Sequence, residues 1–299
     1  MDSMRSEQEM MDLILRVARE DERIRAVYMG GSRNDPNAPR DFYQDYDIVY
    51  IVRDITSFTS DHSWIDVFGP RLMLQMPEAM RDPEGKGNFN YLMLFLDGNR
   101  IDLRLFPIEK PELIEDDSLN SVLLDKDGIL PDFPKPDDSS YWVSRPSELY
   151  YASCCNNFWW CMQNVAKGIS RDERPYAMEM FDGVVRAELN DMVSWYIGCA
   201  HGFSVSPGKM GKYFKRFLPE DLYHQYLATY SNSEPENLWR AVFTACDLFG
   251  RLASQVGGQL GYRYNRQDEE HMRGYLRWAQ AHPVDEMKME GKKNEIQMV

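Results

Sequence analysis

Ala26-Val-Tyr-Met-Gly-Gly-Ser-Arg-Asn34, followed after a polar loop by Asp45-Tyr-Asp-Ile-Val-Tyr-Ile-Val52, is the stretch whose reading decides the fold. The apolar run 24–29 ends at Gly30-Gly31, which predicts a strand and a turn. Residues 46–52 predict a second strand. Asp45 and Asp47 follow Ser32 by 13 and 15 positions. Residues i and i+2 of a strand face the same way, so both carboxylates project together. Side by side they are costly unless a cation neutralises them. Mg²⁺ does this and keeps coordination positions for substrate phosphates. The Gly31-Ser32 turn offers those phosphates backbone N–H groups and a hydroxyl. Together these features point to nucleotidyl transfer.

Working outward, Asp97-Gly98-Asn99 is a tight-turn signal between the apolar runs 91–96 and 100–106, which predicts an antiparallel hairpin. Ile101, Leu103 and Leu105 share one face of its second strand, and Asp102 shares the other with Arg104. If this hairpin pairs beside the Asp45–Asp47 strand, three carboxylates converge. Two can hold metal, and the third can complete the metal shell or accept a proton from an attacking hydroxyl. Each signal alone is weak, because short motifs are common; the conjunction carries the reading. Arg33 and Arg40 lie in the intervening loop, where each either touches a triphosphate or faces water. Strands are also expected at 71–76 and 121–124. The period of Met11, Ile14, Leu15 and Ala18 predicts a helix over 5–20.

The stretch 126–140 is rich in Pro, Gly and Asp and marks a domain boundary. The expected organisation is an N-terminal domain over 1–135, a helical domain over 136–285 and a disordered tail over 286–299. Ser147 can cap a helix running to Lys167, with Gly168 as its stop. Pro175 can open the next, reaching Cys199. Further helices are expected at 219–230, 236–255 and 267–280. The fold class is therefore α+β: a mixed sheet with flanking helices, then a helical bundle.

On a wheel at 100° per residue, Glu179, Asp182, Arg186 and Asn190 share a polar arc. Phe181, Val184, Met192 and Trp195 share the apolar one. Glu188 falls inside the apolar arc and Asp191 at its edge. Inward acids are rarely left unpaired. They either pair with a buried Lys, Arg or Tyr, or line a cleft that receives cationic groups of a substrate. Trp195 either packs on a sugar ring or fills core. Lys209, Lys212 and Lys215 recur every three residues, so a helix would stack them, as a clamp on β- and γ-phosphates or as an exposed basic end. Lys167 is a further phosphate candidate. The aromatic run 150–165 reads as bundle core.

Net charge is −14 over 299 residues. That argues against a nucleic-acid partner and against an anionic membrane surface; it either confers solubility or steers a cationic small molecule. No run approaches the roughly 18 apolar residues of a membrane span, and the first residues are too polar for a signal peptide. Five cysteines and five histidines form no zinc-like spacing, and a disulfide framework is not expected at this size. His201 is assigned no chemistry beyond contact with a helix dipole. A reduced, cytoplasmic protein is expected, as a monomer or weak dimer.

The order Gly-Ser, Asp-x-Asp, later Asp resembles the DNA polymerase β-like nucleotidyltransferase superfamily. Met29-Gly-Gly-Ser-Arg-Asn34 and Gln44-Asp-Tyr-Asp-Ile-Val49 are similar to the aminoglycoside 6-adenylyltransferases, also called streptomycin adenylyltransferases. So are Cys154-Cys-Asn-Asn-Phe-Trp-Trp160, Asn164-Val-Ala-Lys-Gly168, Leu189-Asn-Asp-Met-Val-Ser-Trp-Tyr-Ile-Gly198 and Gly208-Lys-Met-Gly-Lys-Tyr-Phe-Lys215. The resemblance runs from about residue 5 to 280. It implies AMP transfer from Mg-ATP to a streptomycin hydroxyl, with release of pyrophosphate and inactivation of the antibiotic. Gly31 and Ser32 would contact phosphate, Asp45 and Asp47 would hold Mg²⁺, and Asp102 would be the third acid and candidate base. The alternatives are a nucleotidyltransferase for another small acceptor and an inactive nucleotide-binding relative.

Overall fold

The computed structural model describes residues 4–81, 83 and 85–284. The chain forms two compact units that divide between Ser140 and Tyr141.

The first unit is built on a six-stranded mixed sheet. Its strands are β1 (Ile24–Met29), β2 (Tyr46–Val52), β3 (Arg71–Gln75), β4 (Phe89–Phe95), β5 (Arg100–Pro107) and β6 (Ser121–Asp125). Their spatial order is β3-β4-β5-β2-β1-β6. β2 and β5 run parallel, with Asp47 opposite Asp102, and the other neighbours pair antiparallel. Helix α1 (Glu7–Glu20) begins at a capping box between Ser6 and Glu9, which satisfies two otherwise orphaned N–H groups. Its stripe Met10, Ile14, Val17 and Ala18 packs with Tyr46, Ile48, Tyr50, Val52, Ile101, Leu103 and Leu105. Burying each large apolar side chain contributes about 1.5–3 kcal/mol. Strand alternation therefore fixes which face Asp47 and Asp102 take: the one opposite α1.

The second unit is helical: α2 (Glu148–Ser170), α3 (Arg174–Glu179), α4 (Arg186–Ala200), α5 (Glu220–Leu227), α6 (Pro235–Leu260) and α7 (Arg266–Ala281). Ser147 caps α2 through the Tyr150 N–H, as its sequence predicts. Gly168 does not stop that helix. It lies buried inside α2, where a Cβ would meet Ala177 at 2.9 Å and Tyr176 at 3.0 Å, so its role is close helix packing. A π-helical turn, Met180–Val185, joins α3 to α4. Such a turn bonds i to i+5 and shifts the phase of everything beyond it. The 100° wheel fails for this reason: Val184 is 37% exposed and Arg186 only 6%.

Arg186 is held by Asp182 at 2.6 Å and by the Thr229 hydroxyl and carbonyl at 2.8 and 3.0 Å, and it stacks 3.7 Å over the Tyr230 ring. Arg186→Met is expected to lower unfolding free energy by about 1–3 kcal/mol, because buried Thr229 loses its donors. Urea denaturation of the full chain would check this; an unchanged midpoint would refute it.

Two residues of the aromatic run depart from the core reading: Tyr150 is 55% exposed and Trp160 64%. The lysine island is not one helix. Positive φ at Gly208, Met210 and Gly211 breaks it, and Lys209, Lys212 and Lys215 stand exposed on separate turns. The expected tail over 286–299 lies outside the described residues. Among the described residues, no helix is long and apolar enough to cross a membrane.

Candidate active site

The site begins at the glycine turn after β1. The Gly30 N–H donates to the Asp47 carbonyl at 3.0 Å, tying the turn to β2. Gly31 adopts φ +69°, and a Cβ there would lie 1.8 Å from Asp47 Oδ2. Only glycine leaves room for that carboxylate and tolerates that backbone. Asn34 Nδ2 spans the Met29 and Leu119 carbonyls at 2.8 and 2.7 Å. Gln44 Nε2 donates to the Ser32 carbonyl at 3.1 Å. The loop is thereby closed on itself at both ends.

Arg33 faces neither water nor an open phosphate site. It is buried, donates to the Asp45 and Gln44 carbonyls at 2.9 and 2.7 Å, and lies 3.7 Å over the Tyr46 ring. Its signal was available, since an arginine twelve residues before an acidic pair can brace their backbone, but nothing local distinguishes it from Arg40. Arg40 is exposed.

Asp45, Asp47 and Asp102 come together. One carboxylate oxygen from each lies within 4.8 Å of the others, and among the described residues no other His, Cys, Asp and Glu cluster of this kind occurs. Asp45 leads into β2, Asp47 is in it, and the parallel β2–β5 register supplies Asp102. Burial first, then the charges of Asp45 and Asp102, pushes the Asp47 carboxyl up to about 6. A carboxylate so disfavoured is what a bound cation relieves, and three oxygen donors with open space suit Mg²⁺. The residues present therefore fit a divalent ion. Sequence reasoning missed Arg100. It stands before the third acid and grips it with two hydrogen bonds, at 2.7 and 2.6 Å.

In the helical unit, Asp191 and Trp195 line a cleft of about 410 Å³ together with Tyr141, Arg145, Tyr150 and Ser194. The Tyr150 hydroxyl donates to Asp191 Oδ2 at 3.1 Å, and its ring meets Trp195 edge-on at 5.5 Å. Burial and the Glu188 charge raise the Asp191 carboxyl, against the Tyr150 hydrogen bond. Trp195 is itself buried, so it serves as core and as cleft wall. Glu188 is not part of that lining; it accepts from Asn157 Nδ2 at 2.6 Å. Lys167 donates to Asn164 Oδ1 at 3.2 Å. Tyr150 was not foreseen, because an exposed position inside an aromatic helix reads as core.

The family model described as streptomycin adenylyltransferase matches residues 4–279. The chain is 41% identical over 270 residues to an aminoglycoside 6-adenylyltransferase of Bacillus subtilis (strain 168), covering 89% of this chain and 95% of that protein. It is 39% identical over 285 residues to one from Campylobacter jejuni, covering 95% and 99%. A crystal structure of an aminoglycoside 6-adenyltransferase from Bacillus subtilis aligns at 37% identity over 92% of this chain and 99% of that one, with a TM-score of 0.46.

Proposed function

The chain belongs to the streptomycin adenylyltransferase family, and from that premise we propose that it moves AMP from Mg-ATP to a hydroxyl of streptomycin, releasing pyrophosphate. As an aminoglycoside 6-adenylyltransferase it is a nucleotidyltransferase. The observation that supports the chemistry best is the convergence of Asp45, Asp47 and Asp102 within 4.8 Å beside a glycine turn.

Bound by these acids, Mg²⁺ would offset the phosphate charge and that of the departing pyrophosphate. The Gly31-Ser32 backbone and the Ser32 hydroxyl hold phosphate oxygens. The acceptor oxygen attacks the α-phosphorus in line, the bond from that phosphorus to the pyrophosphate oxygen breaks, and the hydroxyl proton passes to a carboxylate. Asp102 is the candidate for that base. In the helical unit, Asp191 takes a cationic group of the aminoglycoside, with Glu188 reinforcing the negative field and Trp195 offering an apolar wall.

The decisive test is mass spectrometry of streptomycin after incubation with the protein, ATP and Mg²⁺. A gain of one AMP is expected. Pyrophosphate release with unmodified streptomycin would sink the acceptor assignment. Asp191→Asn is expected to raise KM for streptomycin roughly tenfold with kcat little changed, as for a lost charge-assisted contact. A fall in kcat at constant KM would overturn that role.

A further inference from the structure

Arg100, Asp102 and Arg104 alternate along β5, so all three side chains leave the same face of the sheet. The two arginines behave differently. Arg104 is exposed and acts on Asp47 through charge. Arg100 makes contact: Nε and Nη2 donate to the two oxygens of Asp102 at 2.7 and 2.6 Å, and Nε also lies 3.9 Å from Asp45 Oδ2. One guanidinium thus serves two of the three clustered acids. An ordinary surface pair explains the contact with Asp102 but not the reach to Asp45.

The arrangement has a cost for the reaction. With a guanidinium across both oxygens, Asp102 shares its lone pairs with a fixed positive charge. A divalent cation entering among the acids meets that like charge at a few ångströms, where repulsion in a partly buried site is substantial. Asp102 cannot give its full charge to a cation until Arg100 lets go. The Arg100 side chain is 48% exposed against 15% for Asp102, so the guanidinium lies on the solvent side of the pair and is the partner free to move. A phosphate, although tetrahedral, offers a pair of oxygens that the guanidinium fork can meet as it meets a carboxylate's two.

We propose that Arg100 is a positioning residue: it is the countercharge of Asp45 and Asp102 while no nucleotide is bound, and it passes its fork to a phosphate of the incoming nucleoside triphosphate, releasing Asp102. This rests on the metal and nucleotide reading given above. Nucleotide and cation then bind cooperatively through Arg100, each removing it from the acids.

The test uses the full chain, with Mn²⁺ as the probe for the cation and free Mn²⁺ followed by electron paramagnetic resonance. Without nucleotide, Arg100→Ala is expected to bind Mn²⁺ roughly tenfold more tightly than the parent, since a charge-assisted competitor is gone. Arg100→Lys should fall between, because an ammonium pairs as a point charge without the fork. Adding a non-hydrolysable α,β-methylene analogue of ATP should then raise Mn²⁺ affinity less in Arg100→Ala than in the parent. A merely structural arginine predicts the opposite, an unchanged or weaker Mn²⁺ affinity on its removal, and that result overturns the proposal; so does undiminished coupling to the nucleotide. Mn²⁺ binding that is absent from the parent, or that survives Asp47→Asn, removes the metal reading itself and this proposal with it.

Discussion

Asp47→Asn is expected to abolish turnover while making the metal-free protein more stable. The loss should be on the order of 10³-fold or more, because phosphoryl-type transfer depends on positioned countercharge. The gain follows from Asp47 itself. Burial and the neighbouring acids raise its carboxyl from 3.8 to about 6, so the folded chain holds a proton that the unfolded chain gives up sooner. Below pH 3.8 both states are protonated and the fold carries no penalty. Stability is lost as pH rises towards 6, and above that the ionised acid costs about 2–3 kcal/mol. Asparagine has nearly the same shape and no charge. In EDTA at pH 8 the variant should exceed the parent by about 2 kcal/mol in urea unfolding, a gap that narrows towards pH 4. Mg²⁺ should raise the melting temperature of the parent and leave that of the variant unmoved. A variant no more stable than the parent at pH 8 would be incompatible with a buried, mutually repelling Asp47.

Gly31→Ala is the second large effect, and it damages fold and chemistry together. The left-handed backbone at φ +69° disfavours any Cβ by about 1–2 kcal/mol. The added methyl would also occupy the space of Asp47 Oδ2, 1.8 Å away. Asp47 cannot swing aside cheaply, because it is half-buried on β2 and flanked by two like charges. A displacement of about 1 Å in a positioned group can cost 10² in rate, so kcat should fall by roughly that factor. Steady-state kinetics and urea unfolding on one preparation would separate the two losses. A Gly31→Ala protein with parental kcat would show that the turn does not cradle the acid.

The sheet was legible because its strands are short apolar runs that end at turn residues. Ile24–Met29 and Tyr46–Val52 begin and end where the apolar runs do, and the Asp97-Gly98-Asn99 turn joins β4 to β5. The third acid was legible only through that hairpin, since pairing of β5 with β2 is a tertiary event. What escaped the sequence has a common cause: it depends on which neighbour a side chain meets. Arg33 and Arg40 are both loop arginines, yet one lies over Tyr46 and braces two carbonyls. Gly168 looks like a helix stop until Ala177 is packed against it. The turn Met180–Val185 carries no proline to announce its change of pitch, and it moves Val184 and Arg186 to the opposite sides of the wheel. Asp191 and Trp195 lie beyond it and still reach a common cleft, because four residues remain one helical turn apart.

The acids that gather at the site come from strands that are neighbours in space and strangers in sequence: Asp47 and Asp102 are 55 positions apart, and their strands run parallel. A parallel pair cannot close through a tight turn, so the chain must first bring a long intervening segment into place and lose its freedom in doing so. Contacts of that kind form late and slowly. Until they form there is an acidic pair but no third donor, and hence no full coordination shell for a divalent ion. A cation bound there would therefore have little part in building the sheet. It would lock a sheet already assembled, slowing its loss without hastening its arrival.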